Sequence, residues 1–518
     1  MSSEKQEKSK KTADNTAYSE RDFFIVGIGA SAGGLEAYET FFRNMPGKNG
    51  MAFILVCHLD PKHVSIMPQL LQKYTQMRVF QAEDGMKVQP DSVYVIPPNK
   101  NLGILNRTIQ LIEPCGSRLP IDFFFSTLAE DQGRNAVCII LSGTLGLKAV
   151  KGEAGLVVVQ DESSAKYNGM PRSAIATGLA DYILPSEKMP EQLLKYARHT
   201  TLKFHAIKIS EEGEIPSALQ KIYILLRIRT GQDFSSYKQN TICRRIERRM
   251  NIHQLDSISE YVRYLQENTN EVQTLFKELL IGVTNFFRDP EAFEVLRQKT
   301  LYEILKNKSP DDSVRVWVPG CSTGEEAYSL AILIYEILNE LHRNTNVQIF
   351  ATDIDNDAVE KARSGIYPLT ISADMSETRV KQFFIKDGDE YRIRKNIREM
   401  LVFAPHNIIK DPPFTKLDML CCRNLLIYLN SEMQKKLLPL FHYSILPEGL
   451  LFLGYSETIG NCGDLFSPAD IKWKIYKRRH SETSTRPILN FPIPNHTETP
   501  ESQVTKELAA PPPYLSTY

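Results

Sequence analysis

Two groups of short apolar runs rich in β-branched residues dominate the sequence, and a stretch without such runs separates them. The first group lies within residues 23–185, and the second begins at Val314 and ends near Arg479. Short apolar runs that alternate with helical segments are typical of parallel sheets covered by helices on both faces. We therefore predict two separate α/β domains with mainly parallel sheets, joined by a small all-helical subdomain.

Changes in composition along the chain predict where these units begin and end. The polar start and the Pro-rich end predict two disordered tails, and the polar stretch Ile209–Pro216 predicts a linker. The predicted units, in chain order, are a tail (1–21), the first α/β domain (22–205), a linker (206–216), the helical subdomain (217–280), the second α/β domain (281–480) and a tail (481–518).

The overall composition limits what the chain can bind. Its 62 basic residues balance its 62 acidic residues, so no net field attracts nucleic acid, and any recognition of charge must be local. The eight cysteines form no CxxC pair, which argues against zinc and against disulfides. No apolar run approaches the roughly 20 residues of a membrane span, and the start lacks the apolar core of a signal peptide. We therefore expect a cytoplasmic protein without membrane insertion and without a metal site.

The segment from Phe24 to Phe42 has the pattern of a strand, a glycine-rich turn and a helix, with Ser31 inside the turn. Three interpretations are open from these residues alone. The turn fits a loose dinucleotide-binding fingerprint, or its glycines only allow the helix to pack closely on the strand. In the third interpretation, the turn presents Ser31 as a nucleophile, and His58, which follows the next predicted strand, is the general base.

Later segments favour the nucleophile. The segments GASAGGLEA, CHLDPKH, SGTLGLKAVKGEAG and QDESSAKYNGMPRSAIATGLADYILP occur in this order. Together they resemble the catalytic domain of CheB-type chemotaxis protein-glutamate methylesterases over about residues 22–190. The resemblance implies a doubly wound, esterase-like domain. It also implies that Ser31 is the nucleophile and His58 the base in the hydrolysis of glutamate methyl esters.

One part of that family's pattern is missing. The family usually has a short insert of the form GSDG, which carries the catalytic Asp, after the turn at residues 142–144, and this chain lacks it. No Asp or Glu occurs between Ala136 and Lys151. Loss of the acid that orients the imidazole can lower kcat about 10⁴-fold. We therefore expect a weak or inactive esterase, unless Asp161 or Glu162 takes the place of the missing acid.

Four arginines lie within six residues of a predicted helix: Arg244, Arg245, Arg248 and Arg249. Helix positions four apart lie on the same face, so the pattern predicts one positive stripe. A solvated helix face is the simplest interpretation. Nucleic acid is disfavoured, because no basic region with interleaved aromatic residues accompanies the stripe. We instead predict that the stripe docks against an acidic protein surface.

The segment VRVWVPGCSTGEEAYSLAILIYEI, which begins at Val314, has the pattern of a strand, a glycine-rich turn and a helix. Glu325 and Glu326 lie at the helix start, where a bound phosphate would usually meet backbone N–H groups and no carboxylates. These acids suit a cofactor with a cationic centre. Asp353 ends the next predicted strand, and a carboxylate there can accept hydrogen bonds from ribose hydroxyls. The sequence therefore predicts a positively charged nucleoside cofactor such as S-adenosylmethionine.

The segments FSSYKQNTICRRIERRM, VTNFFRDPEAF, GCSTGEEAYSLA, ATDID, FAPHNI, CCRNLLIYL and LFLGYSETIG occur in this order. They resemble the CheR-type chemotaxis receptor glutamate methyltransferases over about residues 213–480, which implies a Rossmann-like, S-adenosylmethionine-dependent domain. The family often has Asn at the position of Gly282, so that contact departs from the pattern. The resemblance implies that the cofactor site consists of Gly282, Thr284, Arg288, Glu325, Asp353, Asn407, Ile408, Arg423 and Asn424.

The resemblance also implies a reaction. A methyl group would pass from S-adenosylmethionine to glutamate side chains of a chemoreceptor, with Arg288 and Tyr428 beside the incoming carboxylate. The arginine stripe would face the acidic methylation region of the receptor, and residues 366–398 could form a small β-subdomain that holds a receptor tail. Two alternatives stay open: an adaptor built from two degraded domains, or a methyltransferase for a small carboxylic acid.

Overall fold

The structure of the protein is a computed structural model. It describes residues 23–30, 34–57, 66–113, 120–141, 146–166, 169–206, 214–309, 312–388 and 390–480. Ser31, His58 and both predicted tails lie outside the described residues.

The first domain is a seven-stranded sheet in which every strand pairs in parallel with its neighbours. The strand order is β3-β4-β2-β1-β7-β8-β9. From β1 the chain first adds strands on one side of the sheet and then on the other, which confirms the doubly wound prediction. The strands are β1 (Ile25–Ala30), β2 (Ala52–Cys57), β3 (Arg78–Gln81), β4 (Ser92–Val95), β7 (Ala136–Ile140), β8 (Leu156–Gln160) and β9 (Tyr182–Leu184).

Helices cover both faces of this sheet, because alternate residues of each strand point to opposite sides. Ile25 packs with the helix Pro120–Gln132, whereas the next residue, Val26, packs with the helices Gly34–Asn44 and Met189–Ala206. A two-stranded hairpin, β5 (Asn101–Leu105) and β6 (Thr108–Ile112), lies beside the main sheet. The helices are α1 (Gly34–Asn44), α2 (Met67–Leu71), α3 (Pro120–Gln132), α4 (Gly146–Gly152), α5 (Gly169–Ala176) and α6 (Met189–Ala206).

Two glycines of the opening motif allow a helix to approach strand β1 closely. A Cβ on Gly27 would lie 2.5 Å from the ring of Phe124, and one on Gly29 would lie 2.7 Å from Ile121. Both neighbours belong to α3. These two glycines therefore have a packing role, whichever role the turn that follows them has.

Four helices form the middle of the chain around a core that includes Phe234 and Tyr261. The third of them begins with a capping box. The side chains of Ser257 and Glu260 each accept a hydrogen bond from the other residue's backbone N–H, an arrangement that fixes a helix start. The helices are α7 (Glu214–Thr230), α8 (Gln239–His253), α9 (Ile258–Glu267) and α10 (Thr269–Leu279).

The second α/β domain has a seven-stranded sheet in the order β15-β11-β10-β16-β17-β19-β18. The first five strands in this order are parallel, and the last two pair antiparallel at one edge. The mainly parallel prediction is thus confirmed. The strands are β10 (Val314–Pro319), β11 (Val347–Asp353), β15 (Leu401–Pro405), β16 (Leu417–Cys422), β17 (Ile445–Leu453), β18 (Phe466–Asp470) and β19 (Ile475–Arg478).

Apolar helices cover both faces of the second sheet. The helix α13 (Glu325–Glu340) packs on one face and α17 (Ser431–Ser444) on the other. Between β11 and β15, residues 366–398 contain a three-stranded antiparallel sheet, β12 (Ile366–Pro368), β14 (Glu390–Ile393) and β13 (Phe384–Asp387). The remaining helices are α11 (Pro290–Leu296), α12 (Tyr302–Asn307), α14 (Asn356–Ser364), α15 (Glu377–Phe383) and α16 (Lys395–Arg398).

None of the helices in the described part of the chain combines the length and the apolar content that crossing a bilayer requires.

Three of the four arginines of the predicted stripe are buried, and two of them have partners in the first domain. Arg245 donates to the carbonyl oxygens of Lys151 and Gly152, at 2.7 and 2.6 Å. Arg248 donates to the carbonyl oxygen of Gly155 and forms ion pairs with Asp181 and Glu278. The contacts lie just before β8 and β9, so the helical subdomain docks on the edge of the sheet where its parallel strands begin.

The prediction of an exposed docking stripe is therefore wrong for Arg245, Arg248 and Arg249. Arg249 is also buried and pairs with Glu271 at 2.6 Å. Arg244 alone keeps a partly exposed side chain, 3.7 Å from Glu153. Buried guanidinium groups need partners that satisfy their charge and their donors, and here carboxylates and carbonyl oxygens of both domains supply them.

Candidate functional site

A cleft opens at the C-terminal ends of β10, β11 and β16, where ligands bind in open α/β sheets. It encloses about 1010 Å³ of space between the atoms, with the open solvent at its mouth included. Nine of the ten residues predicted for the cofactor and acceptor lie along this one cleft. They are Gly282, Thr284, Arg288, Asp353, Asn407, Ile408, Arg423, Asn424 and Tyr428.

The turn at 320–326 forms one wall of the cleft, and its backbone shape needs glycine. Gly324 has φ +94°, and a Cβ there would lie 2.9 Å from Ala362. Gly320 also has a positive φ of +70°. Residues other than glycine rarely adopt such angles. The turn therefore folds tightly and brings Ser322 to Asp353 across the cleft.

Asp353 ends β11 at the floor of the cleft. Its Oδ2 accepts a hydrogen bond from the backbone N–H of Ser322 at 2.8 Å, and its Oδ1 accepts one from Asp355 at 3.0 Å. Burial raises the pKa of this carboxyl group, against the opposing effect of these N–H donors. Each oxygen keeps a further lone pair, so the group can still accept hydrogen bonds from two ribose hydroxyls.

The loop after β15 forms the opposite wall. The side-chain amide of Asn407 donates to Gln232 of the helical subdomain at 2.6 Å, and its Oδ1 accepts from the N–H of Ile409 at 2.8 Å. The Asn407 side chain is thus engaged in holding the loop, and Ile408 is exposed to the cleft beside it. The helical subdomain is part of this wall.

Arg423 lines the cleft as a buried support. Its guanidinium donates to Glu326 at 2.9 Å, to Asp289 at 2.6 Å and to the carbonyl oxygen of Arg288 at 3.0 Å. These bonds tie β16 to α13 and to the loop that carries Arg288. Arg423 therefore acts on the site by positioning its neighbours.

The position of Glu325 departs from the prediction. Its carboxylate accepts from the hydroxyl of Thr323 at 2.6 Å, and it is not among the residues that line the cleft. The next residue, Glu326, lines the cleft instead. Successive helical residues point about 100° apart, so only one of two adjacent acids at a helix start can face the ligand.

Arg288 and Tyr428 lie along the same cleft, as predicted. One guanidinium nitrogen of Arg288 donates to the carbonyl oxygen of Val283 at 2.8 Å, which leaves further donors of the fork. The carbonyl oxygen of Tyr428 accepts from the N–H of Lys238 at 2.8 Å. The Arg288 side chain is thus held by the backbone of Val283, and the backbone of Tyr428 is held by that of Lys238.

Gly282, where the resembled family often has Asn, faces Ser322. A Cβ on Gly282 would lie 2.9 Å from the Ser322 hydroxyl oxygen. The space that a larger side chain would need is thus already taken by Ser322. The Asn contact cannot form here unless the Ser322 side chain moves away.

The residues of the site that were not predicted include Tyr237 and Glu457. Tyr237 lines the cleft from the helical subdomain, and its backbone forms an isolated bridge with Leu429. Glu457 lies under the cleft, 4% exposed, and accepts backbone N–H bonds from Gly454, Asn424 and Ile427 at 2.7, 3.0 and 3.2 Å. The sequence signal for Glu457 is an acidic residue just after the buried strand LLFL.

Glu457 holds Asn424 in an unusual backbone conformation, with φ +58°. We expect Glu457→Gln to weaken S-adenosylmethionine binding about tenfold, because an amide supplies fewer acceptors for these N–H groups. Burial raises the pKa of Glu457, so the wild-type carboxylate gains a proton on acidification before an exposed glutamate does. Titration calorimetry should show affinity falling over that pH range in the wild type, and to a smaller extent in the variant.

The matched control for this prediction is Glu303→Gln, at an exposed position, which should leave the affinity unchanged. An affinity of Glu457→Gln equal to that of the wild type at every pH would contradict the positioning role.

The first domain's predicted site is only partly described. Asp161 directly follows β8, and its carboxylate accepts from Ser163 and Ser164 in its own turn. Three strand spacings of about 4.8 Å separate β8 from β2, or about 14 Å. Asp161 is thus poorly placed to serve a base that follows β2. A second acid, Asp122 at the start of α3, accepts from the N–H of Gly146 at 2.7 Å.

The fold and the cleft define a class. A Rossmann-like sheet with a glycine-rich turn after its first strand and a buried carboxylate at the end of its second is typical of enzymes with nucleoside cofactors. Family models identify the units: CheB methylesterase matches residues 26–193, the all-alpha domain of the CheR methyltransferases matches 217–280, and their SAM-binding domain matches 282–475.

The chain is also similar to known proteins. The chain is 36% identical over 439 residues to an uncharacterized 104.1 kDa protein in the hypE 3′ region of Rhodobacter capsulatus; the match covers 79% of this chain and 46% of that relative. It is 30% identical to the chemotaxis protein methyltransferase of Salmonella typhimurium over 48% of this chain and 86% of the relative. The Thermotoga maritima CheB methylesterase catalytic domain aligns with 33% of this chain and 98% of its own, at 30% identity and a TM-score of 0.32.

The chain belongs to the CheR methyltransferase family and joins that enzyme to a CheB methylesterase domain in one polypeptide. Its cofactor is S-adenosylmethionine, as predicted from the acidic residues that follow the glycine-rich turn and end the next strand.

Proposed function

We propose that the chain transfers a methyl group from S-adenosylmethionine to glutamate side chains of a chemoreceptor. The observation that carries this proposal is the cleft itself, in which Asp353, Arg288 and Tyr428 line one continuous surface. The chemotaxis methyltransferases among its relatives support the substrate class.

The chemistry demands little of the protein beyond position. S-adenosylmethionine supplies a methyl group on a cationic sulfonium, and a glutamate carboxylate, with an ordinary pKa of about 4.3, is already ionised at neutral pH. No general base is needed. Asp353 accepts hydrogen bonds from the ribose, and Arg288 and Tyr428 orient the acceptor carboxylate.

A transfer assay tests this proposal. The full chain is incubated with tritiated S-adenosylmethionine and chemoreceptor-containing membranes, and mild alkali then releases methyl esters as volatile methanol. We expect base-labile label on the receptor. Label that appears only on free small carboxylic acids would favour the second enzyme class, and cofactor binding without any transfer would favour an adaptor.

We further propose that the CheB-type domain hydrolyses methyl esters weakly or not at all. Two observations support this. Residues 136–151 contain no Asp or Glu, and the carboxylate of Asp161 accepts hydrogen bonds from Ser164 in its own turn. If the domain retains activity, covalent linkage would raise the effective concentration of both activities at one receptor.

For this domain we predict methanol release from pre-methylated receptor near the uncatalysed rate, and no further fall in Ser31→Ala. The missing acid leaves the imidazole unoriented, at a cost of about 10⁴-fold. Release well above background in the wild type, abolished by Ser31→Ala, would contradict the proposal. Asp122, which is held at the same edge as Gly146, would then be the first acid to substitute.

We also propose that the chain acts in the cytoplasm. The seven cysteines in the described part of the chain are free thiols, as is usual in reducing compartments. The three-stranded sheet within 366–398 is the proposed site for a receptor tail.

A further inference from the structure

The burial of the arginine stripe leaves the docking of a protein substrate to another surface. Helix α7 presents such a surface. Ile224 and Ile228 are 56% and 72% exposed, and because they are four residues apart they lie together on one face. Single exposed apolar residues are common on protein surfaces, but an adjacent pair on one helix face matches the anchor spacing of helix-to-helix recognition.

Basic side chains surround this pair. Lys221, Arg227 and Arg229 are exposed on the same helix. Over residues 216–233 the acidic side chains number one, Asp233, which accepts a hydrogen bond from Ser235 at 2.9 Å. The surface is therefore apolar at its centre and positive around it.

The C-terminal end of α7 is attached to the cofactor cleft. The side chain of Lys410 donates to the carbonyl oxygen of Gly231 at 2.7 Å, and Gln232 accepts from the amide of Asn407, which lines the cleft, at 2.6 Å. A partner bound along α7 would thus be directed towards the cleft wall.

We propose that the outer face of α7, formed by Lys221, Ile224, Arg227 and Ile228, docks an amphipathic helix of the protein substrate that carries glutamates. The proposal rests on the proposed function, which requires a glutamate-bearing substrate. An apolar stripe on that helix would cover the two isoleucines, and its glutamates would pair with the flanking basic residues.

A second copy of this chain is a poorer occupant of the same face. Two α7 faces in contact would place Lys221 and Arg227 of one copy opposite those of the other, and like charges across an interface oppose association. The complementary partner is acidic.

Fluorescence anisotropy of the full chain tests the proposal without any methyl transfer. The probe is a labelled synthetic helix with leucines on one face and flanking glutamates, and its scrambled isomer is the reference peptide. We expect the wild type to prefer the helix, and Ile224→Ser/Ile228→Ser to bind it at least about tenfold more weakly, since each buried isoleucine contributes substantially to binding. Lys221→Glu/Arg227→Glu should weaken it similarly, and added salt should weaken the wild-type complex.

The matched control is Ile112→Ser/Ile183→Ser, at two half-exposed isoleucines of the first domain, which should bind the helix as the wild type does. Affinity for S-adenosylmethionine should be the same in all these variants. Equal binding of helix and scramble, no binding, or wild-type affinity in Ile224→Ser/Ile228→Ser would overturn the proposal. Failure of the proposed function would appear separately, as absent methyl transfer by a wild-type chain that binds the helix.

Discussion

Replacing Asp353 by Ala should weaken binding of S-adenosylmethionine by at least about 100-fold and remove methyl transfer at ordinary cofactor concentrations. The variant loses hydrogen bonds from two ribose hydroxyls to a charged acceptor, each worth roughly 1.5–3 kcal/mol. It also frees the N–H of Ser322, which Asp353 holds at 2.8 Å, so the turn at 320–326 loses its tie to β11. Titration calorimetry measures the affinity directly.

Two further variants separate binding from folding. Asp357→Ala, at an exposed residue paired with Lys277 on the surface, should leave the affinity unchanged. Asp353→Asn keeps the shape and one acceptor, but its NH2 would face one of the two backbone N–H groups that the carboxylate holds. It should lose most of the affinity, and its melting temperature, measured alongside, gives the part of that loss that is due to folding. Wild-type affinity in Asp353→Ala would remove the carboxylate from the site.

Replacing Arg248 by Ala should destabilise the chain by about 3–5 kcal/mol, the usual cost of leaving a buried ion pair with one partner. Arg248 neutralises Asp181 of the first domain and Glu278 of the helical subdomain, and all three side chains are buried. The variant removes both of these ion pairs and leaves Lys151 as the buried cation beside Asp181 and Glu278. Urea denaturation measures the loss, and proteolysis at the segment between the domains should become faster.

The matched control is Arg244→Ala, four residues earlier on the same helix, whose partly exposed side chain lies 3.7 Å from Glu153. Exposed pairs contribute about 0–1 kcal/mol, so this variant should unfold nearly as the wild type does. Equal stability of the two variants would show that the ion pairs of Arg248 with Asp181 and Glu278 do not hold the two domains together.

The central strands were predictable because they are buried on both faces and therefore continuously apolar. The strands β1, β2 and β8 are buried along their whole length. In contrast, β3 is partly exposed at every residue and β9 has three residues, so neither shows a periodic apolar pattern in the sequence.

Most of the methyltransferase site was predictable because its residues follow parallel strands, whose C-terminal ends meet at one edge of the sheet. Glu325 was mispredicted because the sequence does not fix the rotation of a helix about its axis. Glu457 was missed because its role depends on the backbone of Asn424, 33 residues earlier in the chain.

The arginine stripe was mispredicted for another physical reason. Spacing shows that arginines share a helix face but not what covers that face. The partners of Arg248 are Asp181 and Glu278, 67 and 30 residues away, and one of them belongs to another domain. Burial of that kind depends on how domains dock, which local patterns do not contain.

A crystal structure of the full chain with S-adenosylhomocysteine would test directly whether the cofactor binds in this cleft. We expect the ribose hydroxyls to contact the carboxylate of Asp353 and the sulfur to face the side of the cleft with Arg288 and Tyr428. Ligand bound at another surface, or with its sulfur directed away from both residues, would contradict it.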